Sequence, residues 1–430
     1  MDSAVVMDER SDASRGLLSF LPIFIFCLLV LAHQGNDALT FPQFWAEDGS
    51  VFFQQQLGHS IPILFGPHAG YLHWVPRLVT WAASAAPYAD QPAIMNGVAW
   101  LIAGWALAFT ARRMTPYVPL WVTLAIIAFS VTRGEQNGTI TNVQWFLQFA
   151  LITMVFAPAA RPMNRRLMFM VTLLMALSGP FSIPISGMLA AFMALAFAWP
   201  QRYRGTAHAE LAAWLDRLDR PAIAALVAGA LLQALTLIVA PRPTGAHGGW
   251  WSAFTALMEG VLPVHILGEF VIMPVGWLFI YTCIGVLFFT GRGVAIEAKI
   301  VIFAMAALGI GLALAGLVEL PRPFDLSFGY GDRYYLLARF AFWWVLYACF
   351  ASHWPDKVQA GGAVVMLVAF FGAVSPNLHQ RWPMPDMGWD EKAAELKQPG
   401  HHFIPINPYP FFIQADTDTS GQPTEPKTHQ

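Results

Sequence analysis

The stretch LLSFLPIFIFCLLVLAHQ, residues 17–34, contains no Asp, Glu, Lys or Arg. As a helix with a rise of about 1.5 Å per residue it is about 27 Å long, close to the ~30 Å thickness of the hydrocarbon core of a bilayer. This stretch therefore predicts a membrane-spanning helix. Ten more apolar blocks follow along the chain, at 92–111, 117–132, 143–158, 167–180, 184–200, 221–240, 271–290, 296–318, 336–352 and 358–375.

The composition agrees with a protein that lies mostly in lipid. Hydrophobic residues make up 57% of the 430 residues and charged residues only 12%, whereas a soluble domain carries about 25% charged residues. The net charge of −2 provides no basic surface for a nucleic-acid partner. The sequence thus predicts an all-α polytopic membrane protein with about eleven membrane-spanning helices, within a range of about ten to twelve.

Two regions leave the number of spans open. Residues 72–88 are apolar but contain Arg77 and a proline near each end, which favours a helix that lies in the membrane interface. The alternative there is a twelfth span. The stretch SGPFSIPISG, residues 178–187, is either an outer turn between two short helices or a break in one long helix.

The first block is predicted to stay in the protein rather than to be cleaved as a signal peptide. The leader before it is acidic, and no clear small-x-small cleavage site follows it. Lys and Arg accumulate in the cytoplasmic loops of membrane proteins. With the N-terminus inside, the inner segments hold 14 such residues and the outer loops hold 6, namely Arg77, Arg133, Arg242, Arg322, Arg333 and Arg339.

This topology divides the chain into four parts. Residues 1–16 form a cytoplasmic leader and residues 17–375 form the transmembrane domain. An odd number of spans places the following residues outside. Residues 376–416 are predicted to be an ordered tail on the outer surface, and the Thr- and Pro-rich residues 417–430 to be a disordered terminus.

The first outer loop, TFPQFWAEDGSVFFQQQ (40–56), contains the adjacent acids Glu47 and Asp48 between Trp45 and Phe52. Adjacent carboxylates in a partly buried, apolar setting raise the pKa of at least one of them. Such a group can act as a general base or as a metal ligand. We expect the pair to be catalytic; the alternative is a solvated loop in which Asp-Gly makes a turn.

Two more outer loops carry candidate sugar-binding or acceptor-binding groups. In TRGEQNGTITNVQW (132–145), Glu135 and Asn142 offer hydrogen bonds to sugar hydroxyls and Trp145 offers a face for ring stacking. The alternative is a polar connection that caps two helices. In PRPTGAHGGWWSAF (241–254), His247 and Trp250 indicate a loop that covers a substrate, and the alternative is that the tryptophans anchor the chain at the membrane interface.

A late outer loop, ELPRPFDLSFGYGDRYYLLARF (319–340), concentrates Arg322, Arg333 and Tyr334 beside several acids. Arginine on the translocated side runs against the usual charge distribution, so it calls for a negative partner. An Asp–Arg ion pair would supply it. So would a phosphate, because a guanidinium offers two parallel donors to phosphate oxygens. We expect Arg333 to bind a phosphate or another anion.

Four short motifs together resemble a known group of membrane enzymes. FWAEDGSVF (44–52), ITNVQW (140–145), GDRYYLL (331–337) and PINP (405–408) are similar to a poorly characterised bacterial branch of the GT-C superfamily. Members of that superfamily are glycosyltransferases that use polyprenyl-phosphate-linked sugars. The resemblance implies a protein of the bacterial inner membrane, with a cytoplasmic N-terminus and a periplasmic C-terminus.

The resemblance also implies a reaction and residue roles. Asp48 or Glu47 would accept the proton of the acceptor hydroxyl during an inverting transfer. Positive charge in the donor site would stabilise the phosphate that leaves. The partners would be a polyprenyl-phosphate-linked sugar, a glycan or lipid acceptor, and membrane lipids. The donor site would consist of Arg333 as first choice, Arg77 as second, Arg322 and Tyr334.

The chain departs from the better-known relatives in three ways. Its acids are ordered Glu-Asp rather than Asp-Glu or Asp-Asp, which leaves the identity of the base open. No outer soluble domain is expected, since 55 residues, 376–430, follow the last block. No set of metal ligands is recognisable, so no cofactor is required, and a divalent metal has no support.

Two other functions are open. A transporter or flippase for a lipid-linked saccharide or small molecule would place charged groups inside the helices, near the bilayer midplane. Here the charged groups cluster at one mouth instead. A membrane O-acyltransferase would need a catalytic histidine near the spans, and the candidates are His73, His247 and His265.

Overall fold

The computed structural model describes residues 2–58, 60–131, 134–159, 163–198, 206–240, 249–257, 265–266, 294–319, 331–351, 383–418 and 423. This part of the chain is mostly helical. A π-helix at Asp48–Phe53 precedes α3, and 3₁₀ helices occupy Pro62–Phe65, Tyr88–Asp90 and Asp332–Tyr335. The α-helices are α1 (Asp2–Gly35), α2 (Asp37–Thr40), α3 (Gln54–Gln56), α4 (Trp74–Ala83), α5 (Gln91–Met114), α6 (Leu120–Ser130), α7 (Val143–Phe156), α8 (Arg165–Ala176), α9 (Ser182–Ala198), α10 (Thr206–Asp216), α11 (Arg220–Val239), α12 (Trp250–Ala256), α13 (Ile296–Glu319), α14 (Leu336–Ala351) and α15 (Trp389–Glu395).

Several of these helices are apolar enough to lie in a membrane. Within the described residues, three are also long enough to cross it: Tyr88–Met114, Arg220–Val239 and Ile296–Val318. Two predicted spans, 271–290 and 358–375, lie outside the described residues. The number of eleven spans therefore stays a prediction. Shorter apolar helices lie at Ser19–Gly35, Leu120–Ser130, Val143–Phe156 and Ser182–Phe197.

Helix α7 lies at the centre of the helical part. Each of its residues from Val143 to Phe156 is buried, so this helix lies in the protein interior. It packs against α5, α8 and α13. The ring of Phe149 on α7 also lies 4.4 Å from that of Phe340 on α14, measured between centroids. The polar loop 134–142, which leads into α7, is therefore attached to a rigid element.

The two ambiguous regions have clear outcomes. Helix α4 has ten residues, Trp74–Ala83. At ~1.5 Å per residue it is about 15 Å long, half of what a crossing needs. It therefore agrees with the predicted interfacial helix and not with a twelfth span. Residues 177–181 are not helical and separate α8 from α9, so the stretch 178–187 is a turn that leads into a new helix.

The C-terminal tail, residues 383–418, is an ordered unit. Helix α15 is followed by two antiparallel strands, β1 (Gly400–Pro405) and β2 (Phe412–Thr417). Ile404 on β1 and Ile413 on β2 are buried and pair with each other. Because side chains alternate along a strand, this hairpin has one face against the protein and one face exposed.

Trp389 fastens this tail to the first outer loop. Its ring centroid lies 4.6 Å from that of Phe44 and 5.5 Å from that of Phe53, both in edge-to-face arrangements. Such aromatic pairs contribute about 0.5–1.5 kcal/mol beyond their buried area. The indole Nε1 donates to the carbonyl of Tyr88 at 3.0 Å, so the polar end of the ring is satisfied. The tail and the loop thus form one packed unit.

Helices α13 and α14 approach each other closely at Gly309. A Cβ at this position would lie 2.5 Å from the backbone nitrogen of Ala338 and 2.9 Å from its Cα. The two backbones therefore leave no room for a side chain, and small residues allow helices of membrane proteins to pack in this way. Two residues later the situation is different, because a Cβ at Gly311 would have no atom within 4 Å.

We expect Gly309→Ala to destabilise the protein by about 1–3 kcal/mol, the usual cost of overpacking, because the backbone of α14 must move. Gly311→Ala is the matched control. The same substitution in open space replaces a residue that weakens helices, so its midpoint of thermal unfolding should be equal to or above that of the wild type. Circular dichroism in detergent gives these midpoints. Equal midpoints for the two variants would contradict the close packing at Gly309.

Candidate active site at the first outer loop

The turn that carries the two acids is shaped by the C-terminal tail. The backbone N–H of Ala46 donates to the carbonyl of Asn407. Ala46 has a φ of 41°, in the left-handed region that is uncommon for a residue with a side chain. A Cβ on Gly49 would lie 2.5 Å from the side chain of Ile406, so glycine is what lets the tail approach. Contact with the tail therefore stabilises this turn.

Asp48 is fully buried, with 0% of its surface exposed. Its carboxylate accepts hydrogen bonds from the backbone N–H groups of Ile140, at 3.0 Å, and Thr141, at 2.7 Å. Burial raises the pKa of Asp48 to about 8, and the two backbone donors act against this rise. The Asp-Gly sequence is thus not a solvated turn. Asp48 ties the first outer loop to the loop 134–142.

Glu47, next to Asp48, remains partly exposed. Burial raises the pKa of Glu135, while the charge of Arg333 opposes that rise and the charge of Glu47 adds to it. Burial lowers the pKa of Arg333, but Glu135, Tyr334 and Glu47 together outweigh it and hold that pKa above its usual value. The charge of Glu47 therefore acts on both Glu135 and Arg333.

Arg333 and Glu135 form an ion pair at the edge of the protein interior. The side chain of Arg333 is 21% exposed and that of Glu135 is 10% exposed. The Arg333 Cζ lies 5.2 Å from the ring centroid of Tyr334, within the range of a cation–π interaction. The Tyr334 ring in turn lies 4.9 Å from that of Trp145, edge to face. The structure thus brings four of the predicted residues into one cluster.

Asn142 and Trp145 are buried parts of this cluster, 2% and 6% exposed. The amide of Asn142 donates to Oγ1 of Thr139 at 2.8 Å, which holds the loop 134–142 in shape. Gly138 has a φ of 76°, a conformation that glycine adopts readily. Contact of Asn142 and Trp145 with a sugar stays a prediction, and their observed contacts are with the protein itself.

Asp332 and Arg339 form a second ion pair, which is buried. The Nε of Arg339 donates to the carbonyl of His265 at 2.7 Å and its Nη1 to that of Ser130 at 2.9 Å. Burial raises the pKa of Asp332, but Arg339 and His265 outweigh it and hold that pKa well below its usual range. This is the Asp–Arg pair that the sequence left open as an alternative. It connects α14 to the end of α6.

Arg77 on α4 differs from the other outer arginines that the structure describes. It is 1% exposed, and its guanidinium has no hydrogen-bond partner among the described residues. Its Cζ lies 5.0 Å from the ring centroid of Phe52. Phe52 follows Asp48 by four residues in the first outer loop. Burial lowers the pKa of Arg77 to about 10. Because a buried charge without an opposite charge is costly, this position favours the binding of an anion.

A second donor lies beside Arg77. The indole Nε1 of Trp74, three residues earlier in α4, is buried and has no partner among the described residues. Residues three apart on a helix lie on the same face. The ring of Trp74 lies 5.8 Å from that of Phe65, and Nη2 of Arg77 would lie 3.7 Å from a Cβ on Gly66. Both donors are therefore near the segment 62–66.

The remaining predicted residues add less. Trp250 begins α12 and is 63% exposed, which agrees with an anchor at the membrane interface. His73 is buried, with its Nδ1 3.2 Å from the carbonyl oxygen of Tyr71. Arg322 and His247 lie outside the described residues. The hydrogen bond between Asn407 and Ala46 is not predicted from the sequence, although Asn407 lies in the PINP motif.

Among the described residues, no group of three or more His, Cys, Asp or Glu side chains is arranged to hold a metal ion. The chain matches no family model, no curated protein and no solved structure. Its function is therefore argued from the geometry of the site.

We expect Asp48 to make the protein less stable as the pH rises from about 5 to about 9. The pKa of Asp48 is about 8 in the folded protein and about 3.9 in an unfolded chain. Between these values the folded state binds more protons than the unfolded state, so the free energy of unfolding falls with pH. Stability from this group is complete below about pH 4 and is lost as the pH passes 8.

Asp48→Asn removes this titration and is the test. The midpoint of thermal unfolding of the wild type, minus that of the variant, should decrease between about pH 5 and about pH 9. Measuring the difference cancels the other titrating groups. A difference that stays constant over this range would show that Asp48 does not titrate there.

Proposed function

We propose that the protein is an integral membrane glycosyltransferase with about eleven spans. It transfers a sugar, with inversion, from a polyprenyl-phosphate donor to a glycan or lipid acceptor at the outer face of a bacterial inner membrane. The N-terminus is cytoplasmic and the C-terminus periplasmic. One observation carries the proposal: Arg77, a buried guanidinium without a hydrogen-bond partner among the described residues, lies against the ring of Phe52, four residues after Asp48 in the first outer loop.

Glu47 is the general base in this proposal. A base must reach the proton that it removes, and Glu47 is the member of the pair that is partly exposed. Both oxygens of Asp48 already accept backbone hydrogen bonds. Asp48 instead positions the turn and, through it, its neighbour Glu47. The order Glu-Asp in this chain thus corresponds to an accessible acid followed by a buried one.

Arg77 binds the phosphate of the donor. Arg333 was the first choice from the sequence, but its charge is matched by Glu135. Arg77 has no such match among the described residues, so a phosphate diester on the substrate side and a phosphate monoester after transfer would both compensate its charge. The stabilisation is greater for the monoester, which carries the additional negative charge. Arg77 therefore favours departure of the leaving group.

The transfer follows from these positions. Glu47 accepts the proton of the acceptor hydroxyl as the acceptor oxygen bonds to the anomeric carbon. The bond from that carbon to the phosphate oxygen breaks, and its electron pair stays on the phosphate beside Arg77. Attack opposite to the leaving group inverts the configuration. Arg333 and Tyr334, both partly exposed, line the region next to Glu47 and contact the sugar or the acceptor.

We expect Glu47→Gln to reduce transfer by at least about 100-fold, the usual contribution of a general base, without loss of protein. Mass spectrometry of envelope glycans from a deletion strain and from the strain that expresses the wild type identifies the product. The Glu47→Gln strain should show the profile of the deletion. Asp48→Asn is the comparison, because it should lower the thermal stability of the purified protein, whereas Glu47→Gln should not. A wild-type glycan profile with Glu47→Gln would exclude Glu47 as the base.

We expect Arg77→Met to raise thermal stability and to abolish stabilisation by undecaprenyl phosphate. The substitution removes an unpaired buried charge, whereas Arg333→Met leaves Glu135 buried without a partner and should cost about 3–5 kcal/mol. Thermal unfolding of the purified variants, with and without this lipid, separates the two roles. Equal stabilisation of the wild type and Arg77→Met by the lipid would remove Arg77 from the donor site.

A further inference from the structure

A small pocket lies at the junction of three distant segments. The end of the first outer loop contributes Phe53, Gln56, Leu57 and Gly58. The connection between α4 and α5 contributes Ser84 and Tyr88, the start of α5 contributes Gln91, and Pro423, which follows the tail in sequence, also lines the pocket. The cavity has a volume of about 200 Å³. Pockets for drug-sized ligands start at roughly 300 Å³, so this one has room for a smaller group, such as a single sugar ring.

The polar side chains in the described lining of this pocket are uncharged. Its hydrogen-bonding side chains are two amides, Gln56 and Gln91, and two hydroxyls, Ser84 and Tyr88. Amides and hydroxyls both donate and accept, which matches a ligand whose own groups do both. Among the residues that the structure describes, no Asp, Glu, Lys or Arg lines the pocket. An ionic ligand would therefore lose its hydration without an opposite charge, which is costly.

Gln56, one of the lining residues, has one polar atom without a hydrogen-bond partner among the described residues. The residue is 2% exposed. Its Nε2 donates to the carbonyl of Ser60 at 2.8 Å, which fixes the orientation of the amide. Its Oε1 is buried and has no hydrogen-bond partner among the described residues. An unsatisfied buried acceptor costs about 1–3 kcal/mol, so the amide of Gln56 gains from a hydroxyl group that reaches it from the pocket.

The aromatic wall is held in place from behind. The ring of Phe53 lies 6.0 Å from that of Tyr88, edge to face. Trp389 packs against Phe53 and donates to the backbone carbonyl of Tyr88. An aromatic surface next to neutral hydrogen-bonding groups binds the face of a sugar ring, because the C–H groups of that ring are apolar and its hydroxyls are polar.

We infer that this pocket, lined by Gln56, Gln91, Ser84, Tyr88 and Phe53, binds one unit of a neutral saccharide. The ring lies against the aromatic wall, and a hydroxyl forms a hydrogen bond with the amide of Gln56. The binding does not depend on Glu47 or Arg77, so the inference stands apart from the proposed transfer. It adds a subsite on the outer loops where a sugar unit of a longer glycan is held.

The test uses the full chain in lipid nanodiscs, since many detergents contain sugars. Ligand-observed NMR titration is carried out with the methyl glycosides of glucose, galactose, mannose and N-acetylglucosamine, and with methyl glucuronoside as the charged counterpart. We expect saturable binding of at least one neutral glycoside in the millimolar range. Gln56→Leu should weaken it at least about tenfold, the equivalent of about 1.4 kcal/mol. Glu47→Gln should bind like the wild type.

Gln55→Leu is the matched control, because the same substitution one residue earlier lies outside the pocket lining and should leave the affinity unchanged. If Gln56→Leu does not fold, Ser84→Val occupies the pocket without removing the Gln56–Ser60 hydrogen bond and should weaken binding equally. The inference is overturned if no neutral glycoside binds, if the glucuronoside binds best, or if the control weakens binding as much as Gln56→Leu. The two proposals can fail separately. If the protein binds a glycoside but a deletion strain has unchanged envelope glycans, the proposed glycosyltransferase activity is refuted and the saccharide-binding pocket is still supported.

Discussion

The carboxylate of Asp48 joins two parts of the chain that are 92 and 93 residues apart, through hydrogen bonds from Ile140 and Thr141. Buried polar groups must find partners, and here one side chain and two backbone amides satisfy each other. The loop 134–142 is thereby fixed on one side by Asp48 and on the other by α7. Glu135 belongs to that loop, so the position of its partner Arg333 also depends on Asp48.

The described arginines of the outer loops differ in whether an acid is paired with them. Arg333 is paired with Glu135 and Arg339 with Asp332, and each pair stabilises a connection between segments. Arg77 has no acid among the described residues. A ligand that binds the folded state alone adds to stability, so an anion at Arg77 would act on stability as well as on function. The charges of the paired arginines are already compensated by acids, so an anion would stabilise them less.

The sequence identified much of this arrangement. Apolar blocks predicted the helices because burial in lipid requires long runs without charge, and the polar loops predicted to lie on one face include Glu47, Glu135 and Arg333. The sequence alone does not show which outer arginine has an acidic partner. Glu135 and Arg333 are 198 residues apart, and nothing local records that they meet. The full burial of Asp48 was hidden for the same reason, since its donors are backbone groups of a distant loop.

The hydrogen bond between Ala46 and Asn407 also limits how the chain passes through a bilayer. Two residues in contact outside the hydrocarbon lie on the same side of it. A second contact, from the backbone of Gln414 to the side chain of Gln54, repeats the constraint. The chain between the two segments must therefore cross an even number of times. If α1 crosses once before them, the total is odd. An odd total agrees with the eleven predicted spans, and their number stays a prediction.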